Sequence, residues 1–225
     1  AQTMVDIGKL AGKPVVAVIT SMAQPLGTHI GNALEVKDAI DVLAGRTQGD
    51  LLEISLLLGS HMLVLAEKAK TLPEARAMLE NALSSGAGLR KLAEMIAAQG
   101  GDPRVVEDLS LLPQAAVKRV MRAETAGYLS AMDTTALGMA AQRMGAGRAK
   151  KSDMLDYSVG YVLHVRLGDE VTEDTPLATL YARNEAEAEE AEKAIRKALT
   201  IAGEKPSVPP LWDAVVTAEG ITYNR

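Results

Sequence analysis

Residues 24–38 hold the side chains best suited to act together on a ligand. They read QPLGTHIGNALEVKD and follow a short apolar run at residues 15–20. Open α/β sheets bind their ligands beyond the carboxyl ends of such strands. Glu35 and Asp38 are three residues apart on a helix-forming stretch, so their carboxylates share a face and could bind a hard cation. The same acids would also stabilise the positive N-terminal end of the helix dipole, and spacing alone favours this simpler role.

The histidines and serines argue against two enzyme classes. The three histidines, His29, His61 and His164, form no HExxH or other paired metal motif, and His61 is expected at the edge of the core. No G-x-S-x-G sequence occurs, which excludes a serine hydrolase of the α/β-hydrolase type.

Two basic, glycine-containing segments have some features of phosphate loops. Residues 8–14 (GKLAGKP) lack the spacing and the Ser or Thr of a Walker loop, and Pro14 has no backbone donor. Residues 145–152 (GAGRAKKS) place their positive charges after a helix end, where the helix dipole repels phosphate. A helix-to-strand turn and a basic loop that complements the dipole are the simpler interpretations, and anion binding at the second segment stays the alternative.

An α/β arrangement is expected to position the segment at 24–38. The β-branched run at 15–20 predicts a central, parallel strand. Asn32 is a candidate N-cap for a helix over residues 33–43, and Gly45 follows as the residue that terminates it. Strand, loop and helix make up half of a βαβ unit. Further helices are expected at residues 50–68, 73–84 and 89–99.

The pattern changes to alternating strands near residues 113–117. Strands are expected at residues 117–122, 128–132, 159–167 and 177–182, helices at 134–144 and 184–201, and a last apolar, alternating stretch at 211–223. Residues 161–180 have the spacing of a lipoyl or biotinyl carrier barrel, without the acceptor lysine of a carrier. The predicted fold class is therefore α/β: part of a mixed or parallel sheet with a helical layer in residues 1–116, followed by a barrel-like α+β subdomain in residues 117–225.

Composition narrows the functional classes further. The 225 residues carry a formal net charge of −5 and are 48% hydrophobic, which argues for a folded core and against electrostatic nucleic-acid binding. Aromatic residues make up 3% and Phe is absent, so the core must be aliphatic. The absence of cysteine excludes disulfides, thiolate catalysis and cysteine-ligated zinc or iron–sulfur sites, and it fits a reducing, cytoplasmic setting. The longest apolar stretch, residues 51–66, is interrupted by polar residues and is shorter than the roughly 20 residues of a membrane span, so no membrane partner is expected.

Several segments, taken together, are specific to one family. They are VITSMAQPLG at 18–27, GNALEV at 31–36, AETAGYLSAM at 123–132, GAGR at 145–148 and KSD at 151–153, followed by Asp156 and Gly160. Through them the chain resembles the pyrimidine nucleoside phosphorylase and thymidine phosphorylase family over essentially its whole length.

The resemblance implies a pentosyltransferase that catalyses reversible phosphorolysis. Inorganic phosphate, the co-substrate, attacks the anomeric carbon of a pyrimidine nucleoside and releases the base and a pentose 1-phosphate. The resemblance also implies a small helical domain and a large α/β domain with the substrates between them, and a homodimer formed largely through the helical domain.

The same resemblance implies that this chain corresponds to the C-terminal half of the enzyme. The family's phosphate-binding loop and its base-binding Arg and Lys precede the strand at 15–20, and no stretch of this sequence matches them. We therefore expect no catalytic residue in this chain, no activity from it alone, and a partner in the missing N-terminal half. The start at Ala1, inside a predicted helix, agrees with this expectation.

One family site extends into this half: a structural potassium or calcium ion near the phosphate loop. Carried over residue by residue, the backbone carbonyls of Leu26 and His29 and the carboxylate of Asp38 are the expected ligands. Asp38 stands where the family has Glu, so its shorter side chain would reach the ion through a helix shift or a water. The other ligands belong to the missing half, so weak or no cation binding is expected from this chain alone.

Two alternatives to a phosphorylase stay open. The first is a phosphoribosyltransferase of related fold, which would need a glycine-rich diphosphate loop that the sequence does not contain. The second is a free-standing, non-catalytic assembly module that uses the barrel-like C-terminal part.

Overall fold

The structure is a computed structural model and describes residues 1–224. Within this range the α-helices are α1 (Gln2–Leu10), α2 (Asn32–Leu43), α3 (Asp50–Leu65), α4 (Leu72–Ser84), α5 (Ala87–Ala98), α6 (Thr134–Ala141) and α7 (Glu185–Ala198). The strands are β1 (Ala17–Thr20), β2 (His29–Ile30), β3 (Val117–Arg122), β4 (Gly127–Met132), β5 (Gly160–Leu163), β6 (Glu170–Val171), β7 (Pro176–Ala182), β8 (Leu199–Ala202), β9 (Trp212–Thr217) and β10 (Gly220–Tyr223). The chain is thus a mixed α/β protein with several antiparallel sheets. This confirms the predicted combination of helices and sheets.

The first of two compact units combines residues 1–21, 42–91 and those from 209 onward. Its sheet has the strand order β1-β9-β10, α1 packs against β1 and β9, and α3 packs against α4. Helix α4 begins as its sequence indicates: the Thr71 hydroxyl accepts a hydrogen bond from the Glu74 amide, and a proline occupies the first turn.

The prediction of a central, parallel strand at residues 15–20 is wrong. Strand β1 lies at the edge of its three-stranded sheet and pairs antiparallel with β9, with Val18 opposite Val215. The partner is supplied by the alternating C-terminal stretch, which folds into the β9–β10 hairpin. Because a short β-branched run pairs equally well in either direction, its composition could not reveal the direction. Every strand pair in residues 1–224 is antiparallel.

The second unit combines residues 22–41 and 92–208. It contains a four-stranded sheet of order β2-β5-β7-β3 and a three-stranded sheet of order β6-β4-β8. The strands predicted at 117–122 and 128–132 are confirmed, but they join different sheets. The barrel-like arrangement is not confirmed, since these strands are hydrogen-bonded as two sheets.

One hydrophobic core fills the second unit between its strands and helices α6 and α7. It is aliphatic, as the composition predicted, with one aromatic exception. Tyr161 is fully buried and its hydroxyl donates to the Leu137 carbonyl over 2.8 Å. Burial raises the pKa of this phenol above its usual value, so the hydroxyl stays a hydrogen-bond donor at neutral pH.

The acidic helix α7 follows its sequence closely except at its end. The Asn184 side chain accepts from the Glu187 amide at the N-terminus, and Lys193 and Glu189, which are spaced i,i+4, form an ion pair at 2.6 Å. The helix stops at Ala198 rather than continuing to 201, because Leu199 is extended and starts β8, which pairs with β4.

The proposed division into residues 1–116 and 117–225 stays a prediction.

Over residues 1–224, no helix is long and apolar enough to cross a membrane.

The core of the second unit predicts a strong response to truncation. Leu180 in β7 is fully buried, so we expect Leu180→Ala to lower the free energy of unfolding by about 2–5 kcal/mol through lost burial and a residual cavity. Leu111 in the same unit is 43% exposed, and Leu111→Ala should cost less than about 1 kcal/mol. Urea unfolding followed by circular dichroism measures both, and equal losses would contradict this description of the core.

Candidate functional site

A close backbone contact holds the segment at 24–38 in place. Strand β2 pairs antiparallel with β5, with Ile30 opposite Tyr161. Gly31 (φ 138°) and Gly160 (φ 146°) flank this pair in a conformation that favours glycine. A Cβ atom on Gly31 would lie 2.5 Å from the Val159 carbonyl oxygen, so only glycine permits this approach. Gly31 and Gly160 are therefore needed for the pairing itself.

The first turn of α2 is tied to the loops around it. The Asn32 side chain donates to the Ala146 carbonyl at 2.8 Å, and the Ala33 amide donates to the Tyr157 carbonyl at 3.0 Å. Asn32 is thus the first helical residue and a tether, and the prediction that it caps the helix is wrong. The carboxylate of Glu35 instead accepts from the Gly31 amide at 3.2 Å, which satisfies a donor at the helix start.

The two acids of the motif have different roles. Glu35 is exposed and engaged at the helix start, whereas Asp38 is 4% exposed. No cluster of three or more His, Asp or Glu side chains suited to a metal occurs in the described chain. The hypothesis of a cation shared by Glu35 and Asp38 therefore gains no support, and Glu35 fills the simpler role at the helix terminus.

Asp38 instead holds the residues that precede α2. One carboxylate oxygen accepts from the Thr28 amide at 3.3 Å, and the other lies 3.5 Å from Nδ1 of His29. The Thr28 hydroxyl lies 3.0 Å from the same ring nitrogen. Burial lowers the pKa of the His29 imidazole below its usual value, while the carboxylate of Asp38 acts in the opposite direction. A buried carboxylate thus links the loop to the helix.

The three expected cation ligands lie along this loop and helix. The contact of His29 with Asp38 is made by its ring nitrogen and not by its carbonyl, and the Leu26 carbonyl lies 3.5 Å from Nη2 of Arg166. Two carbonyls and a carboxylate fit potassium or calcium in kind, because hard cations prefer oxygen. They fall short in number, since calcium takes about six to eight oxygen ligands. The assignment of Leu26, His29 and Asp38 to a cation stays a prediction.

Sequence reasoning missed the residues that attach the loop to the β5–β6 connection. Arg166 directs its guanidinium at the loop carbonyls, with 2.7 Å from Nη1 to the oxygen of Pro25. The Gln24 side-chain oxygen accepts from the Leu167 amide at 2.9 Å. These partners are about 140 positions apart, so no local signal in the sequence pointed to them.

The basic segment at 145–152 and the histidines His61 and His164 have environments that are explained by the fold alone. In the basic segment at 145–152, the amides of Ala149 and Lys150 donate to the carboxylate of Asp153, which fits an ordered basic loop. His61 is half-buried, as expected, and burial lowers its pKa. His164 pairs with the Thr179 hydroxyl through Nε2 at 2.7 Å.

Comparison with known protein families assigns both parts of the chain. Residues 1–89 match the model described as "Glycosyl transferase family, a/b domain". Residues 128–202 match the model described as "Pyrimidine nucleoside phosphorylase C-terminal domain". The chain thus combines a match to a glycosyl transferase family domain with a match to a nucleoside phosphorylase C-terminal domain.

Curated relatives define the family more narrowly. The pyrimidine-nucleoside phosphorylase of Geobacillus stearothermophilus is 49% identical over 185 residues, which are 82% of this chain and 43% of the relative. That of Staphylococcus aureus (strain USA300) is 42% identical over 217 residues, which are 96% of this chain and 50% of the relative. The chain belongs to the pyrimidine nucleoside phosphorylase family, and it spans about half the length of the curated relatives it matches.

The buried position of Asp38 predicts a graded mutational response. Asp38→Ala should lower the free energy of unfolding by about 1–3 kcal/mol, because the Thr28 amide loses its buried acceptor. Asp38→Asn should cost less, since the amide oxygen can still accept from Thr28. Urea unfolding of both variants measures the difference, and equal losses would show that the acceptor does not matter.

Proposed function

We propose that the protein containing this chain is a pyrimidine-nucleoside phosphorylase. It converts a pyrimidine nucleoside and inorganic phosphate into the free base and a pentose 1-phosphate. The observation that carries the proposal is the match over 96% of this chain to a protein of that name at 42% identity. The match to the phosphorylase C-terminal domain supports it independently.

Phosphorolysis requires groups that bind the phosphate and the departing base. Phosphate oxygen forms a bond to the anomeric carbon while the bond to the base nitrogen breaks, so positive charge develops on the sugar and negative charge on the base. Donors and cations must hold the phosphate and the departing base in line. We place these groups in the half of the relatives that this chain does not match.

The role we propose for this chain is that of a scaffold and one wall of the substrate cleft. The loop at 24–29 is the part that would support the phosphate site. It is fixed by Asp38 from the helix side and by the β5–β6 connection from the other. A potassium or calcium ion held by the carbonyls of Leu26 and His29 and by Asp38 would supply fixed positive charge to this loop.

Three further features belong to the same proposal: the first follows from the family resemblance, the second from the absence of cysteine and the third from the strand pattern. The whole protein is a homodimer, it works in the cytoplasm, and its residues 117–225 form the barrel-like C-terminal subdomain.

Complementation tests the proposed reaction. We expect no phosphorolysis from this chain alone, because it lacks the phosphate- and base-binding groups. Mixed or co-expressed with the unmatched N-terminal part of the Geobacillus stearothermophilus relative, it should release base from uridine or thymidine only when phosphate is present. Base release is followed by ultraviolet absorbance, and the denaturing intact mass identifies every polypeptide in the sample.

The controls separate the alternatives. Phosphoribosyl diphosphate together with a free base, in place of phosphate and nucleoside, tests for a phosphoribosyltransferase, which would release diphosphate. The N-terminal part alone sets the background. A stable chain that neither binds that part nor gains activity would contradict the proposal and favour a non-catalytic assembly module.

Cation binding gives a separate prediction. We expect weak or no binding of potassium or calcium to this chain, because three oxygen ligands are about half of what calcium takes. Isothermal titration with each ion measures this, and tight stoichiometric binding to the chain alone would overturn it. In the complemented protein, Asp38→Ala should weaken cation binding relative to Asp38→Asn.

A further inference from the structure

We propose that Arg166 is a positioning residue that fixes the shape of the loop at residues 24–29, named here the carbonyl loop. As far as phosphorolysis is concerned, the inference rests on the proposed function. Its structural part concerns this chain alone.

The guanidinium of Arg166 is directed at three consecutive carbonyls. Nη1 lies 2.7 Å from the oxygen of Pro25 and 3.4 Å from that of Gly27, and Nη2 lies 3.5 Å from that of Leu26. A charged donor makes these bonds stronger than neutral ones, above all the short bond to Pro25. One side chain therefore constrains three peptide units that lie outside any helix or strand.

The backbone of Arg166 is itself firmly held. Its amide donates to the carboxylate of Asp169 at 2.7 Å. The Gly168 amide donates to the Leu129 carbonyl at 2.8 Å, and the Leu129 amide donates to the Asp169 carbonyl at 2.9 Å. Leu129 lies fully buried in β4. The guanidinium thus extends from a turn that is anchored to the core.

Further contacts make the attachment two-sided. The Leu167 amide donates to the Gln24 side chain at 2.9 Å, and the Leu163 amide donates to the Thr28 carbonyl at 2.8 Å. On the other side, Asp38 accepts from the Thr28 amide. Arg166 supplies positive charge to the loop's carbonyls and Asp38 negative charge to its amide, so the two residues together specify one conformation.

This conformation places the Leu26 and His29 carbonyls, the groups expected to face a cation. A guanidinium can contact several carbonyls at once because its donors form a rigid planar fork, whereas a lysine ammonium is a point charge on a flexible stem. Arg166→Lys should therefore keep part of the constraint and Arg166→Ala none. A surface arginine that merely rests on nearby carbonyls would contribute little.

Hydrogen–deuterium exchange on the full 225-residue chain tests the structural part. Arg166→Ala should speed exchange of the Thr28, Leu163 and Leu167 amides by about tenfold or more, because the loop opens locally. Arg166→Lys should have a smaller effect, and Arg166→Gln serves as a second neutral variant should the alanine chain fold poorly. Unchanged exchange of residues 117–122 and 176–182 establishes that the rest of the unit is intact.

Arg122 provides the matched control. Its guanidinium also donates to a backbone carbonyl at 2.7 Å, that of Asp174, away from the carbonyl loop. Arg122→Ala should leave exchange at the carbonyl loop at the wild-type rate. Wild-type loop exchange in Arg166→Ala or Arg166→Gln would overturn the inference.

Kinetics of the complemented phosphorylase distinguish positioning from plain stabilisation. Arg166→Ala should raise KM for phosphate several-fold while kcat at saturating phosphate changes less, and Arg166→Lys should partly restore KM. Faster loop exchange with unchanged KM would overturn the positioning role. If the wild-type complex shows no phosphorolysis, the proposed function fails, while the exchange data still decide whether Arg166 orders the loop.

Discussion

The two-residue pairing of β2 with β5 is the constraint on which the rest of the candidate site depends. It brings Gly31 and Gly160 so close that neither position has room for a Cβ atom. Once this pairing forms, the chain before it must run past the β5–β6 connection, and the chain after it must start α2. Arg166 and Asp38 then contact the same short loop from two sides. The side-chain contacts at this site thus depend on a backbone fit.

Features with local causes could be predicted from the sequence, and features with distant causes could not. Thr71 and Asn184 cap their helices through an amide three residues away, so these bonds have a local cause, whereas Asn32, the predicted cap, bonds to the distant Ala146 carbonyl. The direction of β1 depends on a strand almost 200 residues later, so its apolar run indicated a strand but not an orientation. The contact between Arg166 and Pro25 also joins residues that are far apart in the sequence, so it could not be predicted locally. Composition correctly predicted an aliphatic core, because that requires only residue types.

Glu35 and Asp38 show how burial separates two like side chains. Their spacing alone suggests a shared role, and their environments give them different ones. Glu35 remains in contact with solvent while it satisfies a helix-terminal amide. Asp38 is almost fully enclosed, so its negative charge has to be balanced by fixed donors such as the Thr28 amide. Spacing located both acids correctly, but only the surrounding fold determined which of them faces the loop.

The long sequence separation between the carbonyl loop and Arg166 has a consequence for the order of folding. Closing a loop of about 140 residues carries an entropic cost that must be met before the contact stabilises the chain. The local helices can form first, whereas the carbonyl loop acquires its shape only after β5 and the following turn have been made. During synthesis, residues 24–29 therefore leave the ribosome long before the residues that order them. The candidate site therefore cannot take its final shape before residue 167 has been synthesised.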